Sequence, residues 1–172
     1  ATPEGVENNG MFTRVAAFPI GIDPGRFTSA IRTDEVQEHI RELRERFRGR
    51  KVMLGVDRLD MIKGIPHKLL AFEKFLNENP EWKDKVNLIQ IAVPTRSDVP
   101  EYQRLASQVH EIVGRINGRF GSIGSVPIQH LDCTMQFPEL CALYAVTDVM
   151  LVTSQRDGMN LVSYEFVSCQ TE

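Results

Sequence analysis

Two widely separated polar clusters hold the residue types that could bind and polarise a phosphorylated ligand. The first is Arg58-Leu59-Asp60-Met61-Ile62-Lys63-Gly64; the second is Arg156-Asp157-Gly158-Met159-Asn160, with Glu165 five residues beyond. Arginine offers a planar fork of donors matched to phosphate oxygens, and lysine adds a mobile point charge. Gly64 and Gly158 let backbone approach a ligand closely. A helix starting near Met159 or Asn160 would aim free N–H groups and the positive end of its dipole at its mouth, which suits a diphosphate. Each residue also has a plainer reading. Arg58 and Lys63 suit a solvated loop, Asp157 a helix cap in place of a partner for sugar hydroxyls, and Glu165 an exposed helical acid. Placed six residues into the helix, Glu165 would stand ~9 Å along its axis, within reach of a ribose whose diphosphate sits at the mouth.

What gives the clusters weight is the elements before and after them. Each follows a short apolar run read as a buried strand, 52–56 and 148–153, and each precedes a helical pattern. Further strands are expected over 13–20, 86–93 and 126–131. Helices are expected from Asp34, as cap, to Gly49, and over 66–77, 99–117, 136–146 and from 160 onward. Pro19, Gly21, Pro24 and Gly25 mark a turn-rich loop, and Gly118, Gly121 and Gly124 punctuate another. Alternating strands and helices predict an α/β, doubly wound, mostly parallel sheet. In such sheets ligands bind outside the carboxyl ends of the strands. Arg96 lies just past one such end, placed to meet a second phosphate or to pair with Asp98. The loop Asp132-Cys133-Thr134-Met135 lies past another, a shelf for a nucleobase.

Composition narrows the function classes. The chain has 172 residues, 42% hydrophobic and 25% charged, with a net charge of −3. That balance gives no support to nucleic-acid binding or to an anionic membrane surface. No apolar run approaches the ~18 residues of a membrane span. Cys133, Cys141 and Cys169 lack metal-ligand spacing, and their odd number suits a reducing, cytoplasmic setting. None of His39, His67, His110 and His130 shows a pattern for a triad or a metal, so all four are expected to be structural. Both ends look cut. Residues 1–14 read as a linker or the end of a preceding domain, and 15–172 as one nucleotide-sugar-binding domain truncated at each end.

The run from Gly55 to Gly64, together with Gly114-Arg115-Ile116-Asn117-Gly118, Phe18-Pro19-Ile20-Gly21-Ile22-Asp23 and the run from Arg156 to Glu165, closely resembles the trehalose-6-phosphate synthases of plants and fungi. The resemblance implies the Rossmann-like half of a two-domain GT-B retaining glycosyltransferase. Its substrates would be UDP-glucose and glucose 6-phosphate, with no metal or other cofactor; a homo-oligomer is left open. By position it puts Arg58 and Lys63 on the donor diphosphate and Asp157 on the glucosyl hydroxyls. Glu165 falls on the ribose, and the Asn160, Leu161 and Val162 amides on the diphosphate. Arg96 would meet the acceptor phosphate, with Met135 and Leu140 at the uracil. The family's acceptor-binding domain is absent from these residues, so the isolated chain is expected to turn over nothing. Glycogen and sucrose synthases, or a regulatory sugar-phosphate-binding homologue without catalysis, are the alternative readings.

Overall fold

The computed structural model describes residues 2–170. Its centre is a four-stranded parallel sheet built from β3 (Lys51–Arg58), β4 (Val86–Val93), β5 (Ile128–Leu131) and β6 (Val149–Met150), in the order β5-β4-β3-β6. Buried on both faces, β4 (VNLIQIAV) reads as an apolar run broken only by the buried Asn87 and Gln90, as suits a central parallel strand. Helices α1 (Pro24–Ile31), α2 (Asp34–Arg46) and α5 (Phe137–Val146) cover one face. The other face is covered by α3 (Ile65–Glu78) and α4 (Pro100–Phe120). Two apolar cores result, one on each side of the sheet, with Leu54 and Ile91 in the first and Leu88 and Ala92 in the second. The last helix, α6 (Leu161–Ser168), packs against α1 and α5. The expected doubly wound sheet is what forms.

Local departures from the sequence reading each have a physical cause. The expected strand over 13–20 is replaced by an antiparallel hairpin, β1 (Gly5–Asn8) and β2 (Met11–Arg14), turned at Asn9 and Gly10, both with positive φ. Residues 15–23 form no regular element. The Pro24-Gly25 segment, read as loop, opens α1. The Asp23 carboxylate accepts from the Gly25 N–H, and Pro24 suits a first turn where its missing donor is not needed. Thr33, not Asp34, caps α2 by accepting from the Val36 N–H. Helix α4 runs on through Gly118 to Phe120, so Gly118 punctuates no loop.

The expected strand over 148–153 pairs in only two residues, although the Leu151 N–H still donates to the Leu54 carbonyl. Two contacts set its ends. At the start, the Asp148 carboxylate accepts from the Val52 N–H and pairs with Lys51. Beyond Leu151 the chain leaves the ladder, because the Thr153 hydroxyl donates to the carbonyls of Lys63 and Gly64. The sheet edge is thereby tied to the loop after β3, which brings the two polar clusters together.

Candidate active site

The loop after β3 is built from its own sequence. Leu59 drops into the core and its N–H bonds the Val93 carbonyl, so the chain turns at the carboxyl end of the sheet. The Asp60 carboxylate caps a single 3₁₀ turn, Met61–Lys63, by accepting from the Ile62 N–H. Gly64 follows with φ +66, and a Cβ there would run into the Thr153 carbonyl oxygen. Its glycine is thus demanded by the crossing of two loops as well as by backbone conformation, rather than by a ligand. Gly158 differs: its φ is not positive, and nothing lies within 4 Å of where a Cβ would sit. We expect Gly64→Ala to cost about 2–5 kcal/mol in urea unfolding, the sum of a left-handed alanine and overpacking. Gly158→Ala should stay within about 0.5 kcal/mol of the parent yet weaken UDP binding if a diphosphate lies against that turn.

Asn160, not Asp157, caps α6. Its side-chain oxygen accepts from the Ser163 N–H at 3.3 Å, and the Leu161 and Val162 N–H groups lie in the first turn, where a helix has no internal acceptor to offer. Asp157 is instead paired with Lys63, Nζ to Oδ2 2.6 Å, with both side chains mostly shielded from solvent. The Asn160 amide donates to the same carboxylate oxygen. The hydrogen bond from Lys63 is the main reason the Asp157 carboxyl is held below the usual carboxylate range, with Asn160 adding to it.

These groups surround one cavity of about 290 Å³, lined by Arg58, Lys63, Asp157, Met159, Asn160, Leu161 and Val162 together with Val56, Asp57 and Val93. Arg58 is exposed and makes no ion pair among the described residues. A guanidinium, an ammonium and a helix mouth therefore converge on one pocket able to hold a diphosphate. Beneath it lies a group that sequence reading passed over. Lys68, on α3, is 1% exposed and its ammonium meets Asp57 at 2.5 Å. Gln90 donates to the same carboxylate oxygen, and Gly55 leaves the room this trio needs. Burial, only partly offset by Asp57, lowers the Lys68 pKa. A lysine within the apolar pattern of 65–76 was the available signal.

A second cavity, about 300 Å³, is lined by His39, Leu43, Leu143 and the loop residues Cys133, Thr134 and Met135. It occupies the place expected of the nucleobase shelf. Leu140 does not line it; the side chain packs against the apolar core under α5. Glu165 lies outside both cavities. It is the fifth residue of α6, not the sixth, which shortens its distance from the helix mouth to ~7.5 Å. The hydroxyl of the fully buried Tyr144 donates to it at 2.9 Å. Burial, then the Glu165 charge, drives the Tyr144 pKa far up, so the phenol keeps its proton and orients the carboxylate. Arg96 also stands apart. With φ +48 it turns its guanidinium onto the Tyr102 hydroxyl at 3.0 Å, and it pairs with neither Asp98 nor the diphosphate cavity.

The motif Gly114–Gly118 carries structure, not ligand chemistry. Asn117 both donates to and accepts from the backbone of Ile128, fixing the start of β5. Arg115 and Arg119 both reach Glu73, joining α4 to α3.

The sequence pattern of glycosyltransferase family 20 matches residues 1–172. The chain is 75% identical over 169 residues to the alpha,alpha-trehalose-phosphate synthase (UDP-forming) 1 of Arabidopsis thaliana, spanning 98% of this chain and 18% of that relative. It superposes with a TM-score of 0.87 and 37% identity on an alpha,alpha-trehalose-phosphate synthase (UDP-forming) from Burkholderia xenovorans in complex with glucose-6-phosphate, covering 95% of this chain and 36% of that one. An E. coli trehalose-6-phosphate structure bound with UDP-2-fluoro glucose gives a TM-score of 0.87 at 34% identity, again over 95% and 36%. The chain thus spans well under half the length of these relatives. With a match along its whole length and the same fold at this level of identity, it belongs to glycosyltransferase family 20.

Proposed function

We propose that the protein carrying this chain transfers glucose from UDP-glucose to glucose 6-phosphate with retention, giving trehalose 6-phosphate and UDP. The observation that carries this reading is the convergence of Arg58, Lys63 and the Leu161–Val162 amides on one cavity. When the bond between the anomeric carbon and the diphosphate breaks, negative charge collects on the departing UDP. Preorganised donors aimed at developing charge are the largest catalytic device an enzyme commonly has. Two side-chain cations fill the role a metal would hold, so the reading requires no cofactor. The relatives bound with glucose-6-phosphate and with UDP-2-fluoro glucose support the two substrate classes.

Asp157 enters this scheme through a change of partner. In this structure it neutralises Lys63. A bound diphosphate competes for that ammonium, leaving the carboxylate to accept from glucosyl hydroxyls. Glu165, oriented by Tyr144, is assigned to the ribose, Met135 to the nucleobase, and Arg96 to the acceptor phosphate on the open side. The same reading puts the protein in the cytoplasm, which the free state of Cys133, Cys141 and Cys169 supports. Among the described residues no helix is long and apolar enough to cross a membrane.

Product analysis of the whole protein tests the proposal. Incubation with UDP-glucose and glucose 6-phosphate should yield trehalose 6-phosphate and UDP in equal amounts by mass spectrometry. The 172-residue chain alone should release no UDP, since it supplies only one wall of the site and cannot orient an acceptor. UDP-glucose binding without any product from the whole protein would favour a regulatory homologue instead.

A further inference from the structure

Outside the two cavities, three side chains converge at the opposite edge of the sheet. His130 and Asp132 are two residues apart at the end of β5 and share a face, as alternate residues of a strand do. The packing of α4 on β5 brings His110 onto them. His130 Nε2 lies 3.0 Å from one Asp132 carboxylate oxygen, and His110 Nε2 meets the other. The two imidazole rings stand edge to face, 5.4 Å between centroids. One ligand atom from each of the three residues lies within 4.8 Å of the others. The His130 side chain is 7% exposed and its Nδ1 has no partner among the described residues.

We propose that His110, His130 and Asp132 form a divalent-cation site that takes Zn²⁺ or a similar borderline metal and staples α4 to the end of β5. Two imidazoles and one carboxylate are a ligand set for zinc, with a water completing the tetrahedron; calcium and magnesium want oxygen ligands. The site is not the diphosphate pocket: β4 lies between β5 and β3, so the two stand ~10 Å or more apart at sheet spacing. Asp132 also opens the loop that carries Cys133, Thr134 and Met135 along the second cavity. A metal here would anchor one end of that shelf. The proposal stands whether or not the glucosyl-transfer reading does.

The test uses the whole protein made without a histidine tag, stripped by chelator and titrated with Co²⁺ under absorption spectroscopy. The expected result is one equivalent whose visible bands mark a four- or five-coordinate ion and are bleached by Zn²⁺. His110→Ala, at a half-exposed position that spares the fold, should weaken uptake by at least ~10–100-fold, the loss that removing even an outer partner causes. Asp132→Asn should do the same, and His67→Ala should change nothing. Absence of that equivalent from the parent, or equal affinity in the parent and both site variants, would overturn the proposal.

Discussion

Replacing Lys63 with alanine is expected to lower kcat/KM for glucosyl transfer from UDP-glucose by about 10²–10³-fold, the usual cost of deleting one preorganised donor to a developing anion. Arg58→Ala should fall in the same range. The double variant should lose less than the product of the two, because the cations serve one anion. Stability should barely move. Arg58 is exposed and makes no ion pair among the described residues, and the Lys63–Asp157 pair lies at the mouth of an open pocket. The pair is shielded but opens onto the pocket, so water can solvate Asp157 once Lys63 is gone, which holds the cost near the upper end of the ~0–1 kcal/mol of a surface pair. That contrast, a large kinetic loss in a protein that unfolds at the parent's urea midpoint, separates a ligand-binding cation from a structural one. UDP affinity measured by calorimetry should follow kcat/KM downward. Unchanged affinity in the double variant would remove the diphosphate from this pocket and the proposed chemistry with it.

Asp57→Ala should do the reverse, with a stability loss of about 3–5 kcal/mol, the penalty for leaving a buried charge without its partner. Lys68 lies almost wholly buried under the donor cavity, and its one charged partner among the described residues is Asp57. Replacing both residues with apolar ones, Asp57→Leu with Lys68→Met, should recover most of the loss, since the pair's attraction mainly repays its own desolvation. The pH dependence has a definite sign. Burial already lowers the Lys68 pKa, and losing Asp57 lowers it further. Between that lowered value and the ordinary 10.5, the unfolded chain carries one more proton than the folded one, so stability rises with pH. The Asp57→Ala penalty should therefore shrink as pH climbs from the variant's Lys68 pKa to the parent's, itself below 10.5, and stay level above it. A penalty that is flat with pH would mean Lys68 has found solvent or another partner.

The two groups of residues differ in how far local sequence specifies them. Arg58, Lys63, Asp157 and Asn160 follow from their place after apolar runs, Leu161 and Val162 from the family resemblance, and the fold gathers all six around one cavity. Asp57 and Lys68 were passed over, because an acid in a strand and a lysine in a helix look like surface residues until their burial is known. Arg96 follows from a strand end as well as from the family resemblance, Leu140 from the resemblance alone, and Glu165 from helix spacing as well as from the resemblance. Tyr102, the apolar core and Tyr144 hold these three side chains, contacts that no spacing along the chain encodes.

What the amino-acid sequence determined by itself was the alternation of elements, and with it the parallel sheet and the edge at which a ligand must sit. Hydrophobic periodicity is local, and a βαβ crossover has in practice a single hand. Tertiary structure decided which polar groups face one another. The Lys63–Asp157 pair, the Asp57–Lys68–Gln90 trio and the His110–His130–Asp132 cluster all join residues from separate elements. Their contacts depend on strand order, loop crossings and the depth of burial. Those are properties of the packed whole, and they exist only once the two cores have closed on the sheet.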